Sequence, residues 1–378
     1  MKFGPTAILF ATLFLVMVGF GIIIPILPFY SIQLGANPFH IGLLMASYSL
    51  MQFIFSPIWG SLSDKYGRKP IILLGLAGFS ITFLLFGLAN SLPLLFASRV
   101  LGGILSSACL PTAMAYMADT TDENERGAGM GMLGAAMGLG MVVGPSIGGL
   151  FSVWHLGMPF FFSSGLAAVN LAFAAIFLKE SKKQHDRSEI KYDRFKHLLS
   201  LRGFMAFTFF LVFLLSYSLS GAESTFPLLA NIKLGYGAYD MGIVFTFMGL
   251  TGVIVQGLLV GKMIRKLGEE NVIKIGLLLS AVGYSLILFA FNHWTLVLFI
   301  SGAVVGQGLL RPSLASLISK DTELEEGATM GAMQSVDSLG RILGPVAGGF
   351  LFQMSMSLPF LSSGGLNILA LLALLFLL

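Results

Sequence analysis

Gly144-Pro145-Ser146-Ile147-Gly148-Gly149 recurs 200 positions later as Gly344-Pro345-Val346-Ala347-Gly348-Gly349. The same register returns Met158-Pro159-Phe160-Phe161 as Leu358-Pro359-Phe360-Leu361 and Leu34-Gly35 as Leu234-Gly235, while Gly60, Gly67 and Gly75 reappear at Gly261, Gly268 and Gly276. The 378 residues are a duplication. Outward from the repeat, each half holds six apolar runs. Each run is near the ~20 residues that a helix rising about 1.5 Å per residue needs to cross a ~30 Å hydrocarbon layer. The predicted spans are 6–32, 39–62, 70–89, 92–118, 127–152, 157–178, 203–232, 239–261, 272–291, 294–319, 327–353 and 357–378. The first is too long for a secretory leader, lacks a small-residue cleavage site and leads straight into the second, so it reads as helix 1.

Composition points the same way. Hydrophobic residues make up 56% of the chain and charged residues 11%, with a mean hydropathy of +0.88; a soluble surface needs about 25% charged residues. The predicted fold class is an all-α polytopic membrane protein of twelve transmembrane helices in two pseudo-symmetric six-helix bundles. The bundles are residues 1–178 and 203–378, joined by a polar linker at 179–202. A parallel duplication of this kind relates the halves by a pseudo-twofold axis along the membrane normal. That is the layout of carriers that bind substrate near the midplane between the halves and alternate access by rocking.

Of the 22 lysines and arginines, Arg99, Arg311 and Arg341 fall inside spans and Lys233 in an outer loop. The rest share one side, which the positive-inside rule makes the cytoplasm, with both termini inside. The net charge of +4 is thus a topology signal and no argument for nucleic acid. Cys109 has no partner, and His40, His155, His185, His197 and His293 are scattered; neither a disulfide, a metal site nor a cofactor is expected. No GxxxxGK[ST] loop suggests ATP use. An enzyme would need a nucleophile and base inside the spans and a channel a repeated pore ring; the sequence offers neither.

A charge at the bilayer centre costs at least ~2.5 kcal/mol, so an intramembrane ionisable group is a functional candidate. There are five: Arg99, Glu223, Arg311, Asp337 and Arg341. Glu223 lies roughly ten residues, about 15 Å of helix, from the outer end of helix 7. A carboxyl group whose surroundings alternate between wet and dry can take up and release a proton; the competing reading is a static ion pair with Arg99 or Arg311. Asp337 and Arg341 are four apart and share a helix face, so they can pair. The arginines cannot shuttle protons, but they can tune a nearby carboxylate. With both acids ionised the five groups carry one net positive charge, which disfavours a polycationic substrate.

Gly60-Ser61-Leu62-Ser63-Asp64-Lys65-Tyr66-Gly67-Arg68-Lys69-Pro70, between helices 2 and 3, resembles the loop motif of the major facilitator superfamily. Gly140, Gly144, Pro145, Gly148 and Gly149 in helix 5 resemble the antiporter motif of its drug-exporting branch, and Arg99 with Gly103 resembles the buried-arginine motif of helix 4. Gly21-Ile22-Ile23-Ile24-Pro25-Ile26-Leu27-Pro28 is similar to a helix 1 motif of the twelve-helix exporters. Leu219 to Glu223 and Arg311-Pro312 resemble the Gram-positive drug:proton antiporters of the NorA and Bmr type.

That resemblance implies an inner-membrane antiporter, working as a monomer, that exchanges protons for amphipathic, often cationic drugs. Glu223 and Asp337 are the expected proton-coupling residues, with Arg99, Arg311 and Arg341 tuning charge. Export of one dedicated solute class, a sugar, tetracycline or a lipid-like metabolite, is the alternative. Similar exporters carry a second acid on helix 10 where this chain has Gly308, and Asp337 is its obvious substitute. By helix position and resemblance, Phe20, Tyr48, Gln52, Met137, Met141, Phe226 and Gln307 are expected to touch substrate. Asp64, Arg68 and Lys69 are the expected cytoplasmic gate. Asp64 would cap a neighbouring helix; Arg68 and Lys69 would anchor to the cytoplasmic face.

Overall fold

A computed structural model describes residues 5–181, 203–320 and 326–377; most of the predicted linker, 182–202, lies outside the described residues. The described residues form twelve long helices, two of them interrupted by a short 3₁₀ or π turn and one ending in a 3₁₀ turn, and no strand. In the first half these are α1 (Pro5–Gln33), α2 (Pro38–Tyr66), α3 (Arg68–Gly87), α4 (Leu92–Thr120), α5 (Glu123–Ser152) and α6 (Met158–Phe177). In the second they are α7 (Gly203–Leu234), α8 (Ala238–Leu267), α9 (Glu269–Phe289), α10 (His293–Lys320), α11 (Glu326–Met354) and α12 (Leu358–Leu377).

Eleven of the helices are long and apolar enough to cross a membrane. The twelfth, α11, has the length at 29 residues but carries Gln334, Asp337 and Arg341 in its middle. Prolines open α2, α4, α6 and α12 in their first turns, where a missing N–H costs nothing. Glycines stop or link the helices at matching places in the repeat. Gly35 and Gly235, after α1 and α7, have φ of +86° and +70°. Gly67 and Gly268, before α3 and α9, have +104° and +79°. Only glycine enters that region without strain.

The chain divides into two compact units. The first comprises Met1–Ala36, Ser47–Asp186 and Gly237–Thr246. In it α1 packs along α5, and α3 packs against α4 and α6. The α1–α5 seam is made of glycine. A Cβ added to Gly140 would stand 2.6 Å from the Phe14 carbonyl oxygen, one on Gly144 would stand 2.9 Å from Gly21 Cα, and one on Gly148 would stand 3.3 Å from Ile22 Cα. Spacing by four puts these glycines on one face and lets the two backbones touch. Gly149 turns elsewhere, onto Gly242 of α8, and Ser146 and Thr246 hydrogen bond beside it at 2.7 Å. The glycines at 127, 131 and 134 meet nothing within 4 Å, so the seam occupies only the second part of α5. Asn170 of α6 ties to α1 by donating to Thr12 Oγ1 at 2.9 Å.

The second unit comprises Asn37–Ala46, Arg187–Tyr236 and Phe247–Leu378. Its pairings repeat the first: α7 with α11, α9 with α10 and α12. Gly340, Gly344 and Gly348 of α11 lie on Phe213, Tyr217 and Gly221 of α7, and Asn367 of α12 donates to Ser218 of α7 at 3.3 Å. Around this seam Phe209, Val212 and Leu215 of α7 pack with Ile273 and Leu277 of α9 and Leu310 and Leu314 of α10. The apolar residues that remain outside, such as Phe247, Leu258, Leu298 and Phe376, lie on the exposed faces of their helices, as helices in hydrocarbon require.

Candidate functional site

The charged residues gather in three places, each within one unit. In the first unit Arg99 of α4 is 4% exposed, and its guanidinium lies 4.6 Å over the ring of Tyr48 on α2. An aromatic face holds such a cation by its quadrupole. Gly103, one turn on, makes the approach possible, because a Cβ there would stand 2.6 Å from the Tyr48 carbonyl oxygen. The Tyr48 hydroxyl pairs with Ser106 Oγ at 3.1 Å, and Phe20 of α1 meets the Tyr48 ring edge-on at 6.0 Å. Phe20, Tyr48 and Arg99 therefore form one group. Gln52 lies a turn beyond Tyr48 on α2; it is half-buried, as are Met137 and Met141 on α5.

The second unit holds four of the five intramembrane charges. Asp337 of α11 is 4% exposed and is enclosed by two guanidinium groups. Arg311 Nη2 on α10 reaches its Oδ1 at 2.6 Å, and Arg341 Nε, one turn along α11, reaches its Oδ2 at 3.2 Å. The hydroxyl of Ser216 on α7 donates to Oδ1, and Gln334 Nε2 lies 3.5 Å from Oδ2. Glu223, two turns beyond Ser216 on α7, is half-buried and makes no hydrogen bond or ion pair with any described residue. It still lies close enough to Arg311, Arg341 and Tyr284 to interact with them electrostatically. Gln307 of α10 donates through Nε2 to the Tyr284 hydroxyl on α9 at 3.3 Å, and its own Oε1 is buried. Phe226 is 1% exposed, packed inside the unit.

Two of these contacts were open in the sequence. Arg311 pairs with Asp337 and not with Glu223, and the Asp337–Arg341 pair that the spacing allowed is formed. Ser216, Gln334 and Tyr284 were not singled out. Neutral hydroxyl and amide groups can be satisfied by hydrogen bonds from any neighbouring helix, so their presence in a span does not by itself mark a site.

The third group is the α2–α3 loop. Arg68, expected to anchor to the cytoplasmic face, has 6% of its surface exposed. Its Nη2 pairs with Asp64 at 2.7 Å, its Nε with Asp119 of α4 at 2.9 Å, and its Nη1 donates to Ser63 at 2.7 Å. A guanidinium offers five donors in a planar fork and can satisfy several acceptors at once, which is why it enters where an ammonium would not. Asp64 is half-exposed. Lys69 donates to the Ala175 carbonyl of α6 at 2.7 Å. Asp119 and Glu180, the residues that complete this group, had no motif to mark them.

The family model described as Major Facilitator Superfamily matches residues 9–323 and 241–378. The chain is 32% identical over 363 residues to Multidrug resistance protein 2 of Bacillus subtilis (strain 168), covering 94% of this chain and 91% of that protein. It is 29% identical over 363 residues to Quinolone resistance protein NorA of Staphylococcus aureus (strain COL), covering 96% and 93%. Among solved structures, the nucleoside transporter NupG superposes with a TM-score of 0.84 at 15% identity, covering 99% of both chains. The human organic anion transporter MFSD10 superposes with 0.69 at 24% identity, covering 98% of both. At these identities the solved structures speak to the fold alone.

Proposed function

The chain belongs to the Major Facilitator Superfamily, and on that premise we propose that it expels amphipathic, often cationic drugs in exchange for protons by alternating access. Export against a concentration gradient needs a driving ion and a group that binds it. Relatives named for multidrug and quinolone resistance support drugs as the cargo.

The observation that carries the proton step is the contrast between the two acids of the second unit. Asp337 is neutralised by two arginines, whereas Glu223 has no bonded partner yet lies within their field. Groups placed in such unlike surroundings take unlike roles. Glu223 is the carboxylate that exchanges protons, and Asp337 takes part by holding Arg311 and Arg341 in place. Arg99, set on Tyr48, balances charge in the first unit. Phe20, Tyr48, Gln52, Met137, Met141, Phe226 and Gln307 offer aromatic, thioether and amide surface suited to substrates of varied shape. Asp64, Arg68 and Lys69 form the cytoplasmic gate. The protein works as a monomer in the cell membrane with both termini in the cytoplasm.

The test is substrate-induced proton release from inverted vesicles that hold a pre-formed pH gradient, read with cationic dyes, a quinolone, tetracycline and sugars. Collapse of the gradient by several unrelated cationic compounds, lost in Glu223→Gln, is the expected result. A response to one sugar or one metabolite alone replaces multidrug export with a dedicated exporter.

A further inference from the structure

Helix α3 begins with two cations, Arg68 and Lys69, at the end of a helix where free N–H groups already concentrate positive charge. Its N-cap, Gly67, has no side chain to offset this. The compensating charge comes from 112 positions away. Glu180, three residues past the end of α6, accepts the Arg68 N–H through Oε1 at 2.8 Å and the Lys69 N–H through Oε2 at 3.2 Å. In the other direction, Lys69 Nζ donates to the Ala175 carbonyl in the last turn of α6, where a helix concentrates negative charge. Tyr116 of α4 donates its hydroxyl to the Lys179 carbonyl at 2.8 Å. The segment leaving α6 is thereby strapped to both α3 and α4. Gly67 belongs to the fit, since a Cβ there would stand 2.8 Å from Glu180 Cδ.

The matching helix start in the repeat carries a different charge pattern. At the matching start of α9, Gly268 is followed by Glu269 and Glu270, acids within that helix's own first turn. They supply negative charge from within the helix's own first turn. The first unit has instead kept Arg68, whose side chain holds Asp64, Asp119 and Ser63.

We propose that Glu180 is a positioning residue of the transport cycle: it fixes Arg68, and through Arg68 the gate residue Asp64, to the root of the segment that follows α6, so that gate loop and segment root move as one piece. The inference rests on the reading of Asp64 and Arg68 as a gate.

The experiment compares wild type, Glu180→Gln, Glu180→Ala, Asp64→Asn and the Asp64→Asn/Glu180→Ala pair. Three quantities are read for each: maximal rate of ethidium-driven proton release in vesicles, ethidium Kd of the purified protein, and its Tm. Glu180→Ala is expected to lower the maximal rate about fivefold, the scale of one charged contact at a helix end, with Kd unchanged and only a small fall in Tm. Glu180→Gln keeps the shape and one acceptor and falls between. Once Asp64→Asn has been made, Glu180→Ala adds nothing further. An unchanged rate in Glu180→Ala overturns the proposal, as does a loss that comes with a raised Kd and a large fall in Tm in both Glu180 variants, or independent multiplication of the two single effects. If wild type itself releases no proton with any dye, the antiport reading falls and takes this inference with it; an active wild type indifferent to Glu180 removes this inference alone.

Discussion

Arg311 gives its guanidinium to Asp337 at 2.6 Å, and Glu223 is left without an ion pair among the described residues. The two acids of the second unit therefore stand in different surroundings. One closes a fork of two arginines from α10 and α11; the other lies on α7 within their field but outside bonding reach. On the proposed reading, Asp337 is held by its two arginines, and Glu223, which has no pair to break first, is the carboxylate that exchanges protons.

Removing Asp337 should therefore be a stability defect first. Breaking a buried ion pair from one side costs up to about 3–5 kcal/mol, and because the Arg311 and Arg341 side chains are 39% and 35% exposed, about 2 kcal/mol is expected for Asp337→Asn. Thermal unfolding of the purified protein should show a clear drop in Tm. An unchanged Tm with lost transport would make Asp337 a coupling acid in its own right.

Glu223→Gln should behave in the opposite way. No hydrogen bond or ion pair is lost, so the change in stability is expected within about 1 kcal/mol. Proton release driven by substrate should nonetheless disappear. Equal Tm together with intact coupling would move the proton site elsewhere.

The glycine seams predict a position-dependent response to the smallest substitution. A Cβ on Gly144 would stand 2.5 Å from the Val18 carbonyl oxygen and 2.9 Å from Gly21 Cα, both backbone atoms that cannot swing away. Gly144→Ala should cost about 1–3 kcal/mol, as overpacking does. Gly134→Ala, on the same helix but with nothing within 4 Å, should be neutral or stabilise by up to ~1 kcal/mol. Tm values for the two variants side by side decide it.

Restoring an acid on α10 should fail. A Cβ at Gly308 would stand 3.1 Å from Val255 Cγ1, and Val255 opens the π turn Val255–Leu259 in α8. Gly308→Asp would press a carboxylate against an apolar branch, at about 1–3 kcal/mol. It is expected to lower the yield of folded protein and to leave Glu223→Gln inactive when the two are combined. Recovery of proton release in that double variant would refute the steric account.

The spans, the duplication and the glycine faces could be read from the residues, because helix geometry turns spacing into position. Residues four apart share a side, so Gly140, Gly144 and Gly148 already describe a seam, and Asp337 and Arg341 a possible pair. The same arithmetic does not say which cation an acid meets on another helix. Glu223 had two plausible partners in sequence, and Arg311 went to Asp337. The partners of Arg68 could not be read for a related reason: Asp119, which its guanidinium meets, and Glu180, which accepts its backbone N–H, come from α4 and from beyond α6, 51 and 112 positions away.

Sequence alone determined that this chain is a duplicated, helical, membrane-embedded carrier, since burial in hydrocarbon is enforced residue by residue over each run of about twenty. Tertiary structure decided which charges neutralise one another, which glycines carry a seam and which remain open, and that the start of α3 is completed by Glu180. Those choices depend on distances of a few ångströms between helices far apart in the chain. Coulomb and contact energies at that range are decided by packing, which no spacing along one helix encodes.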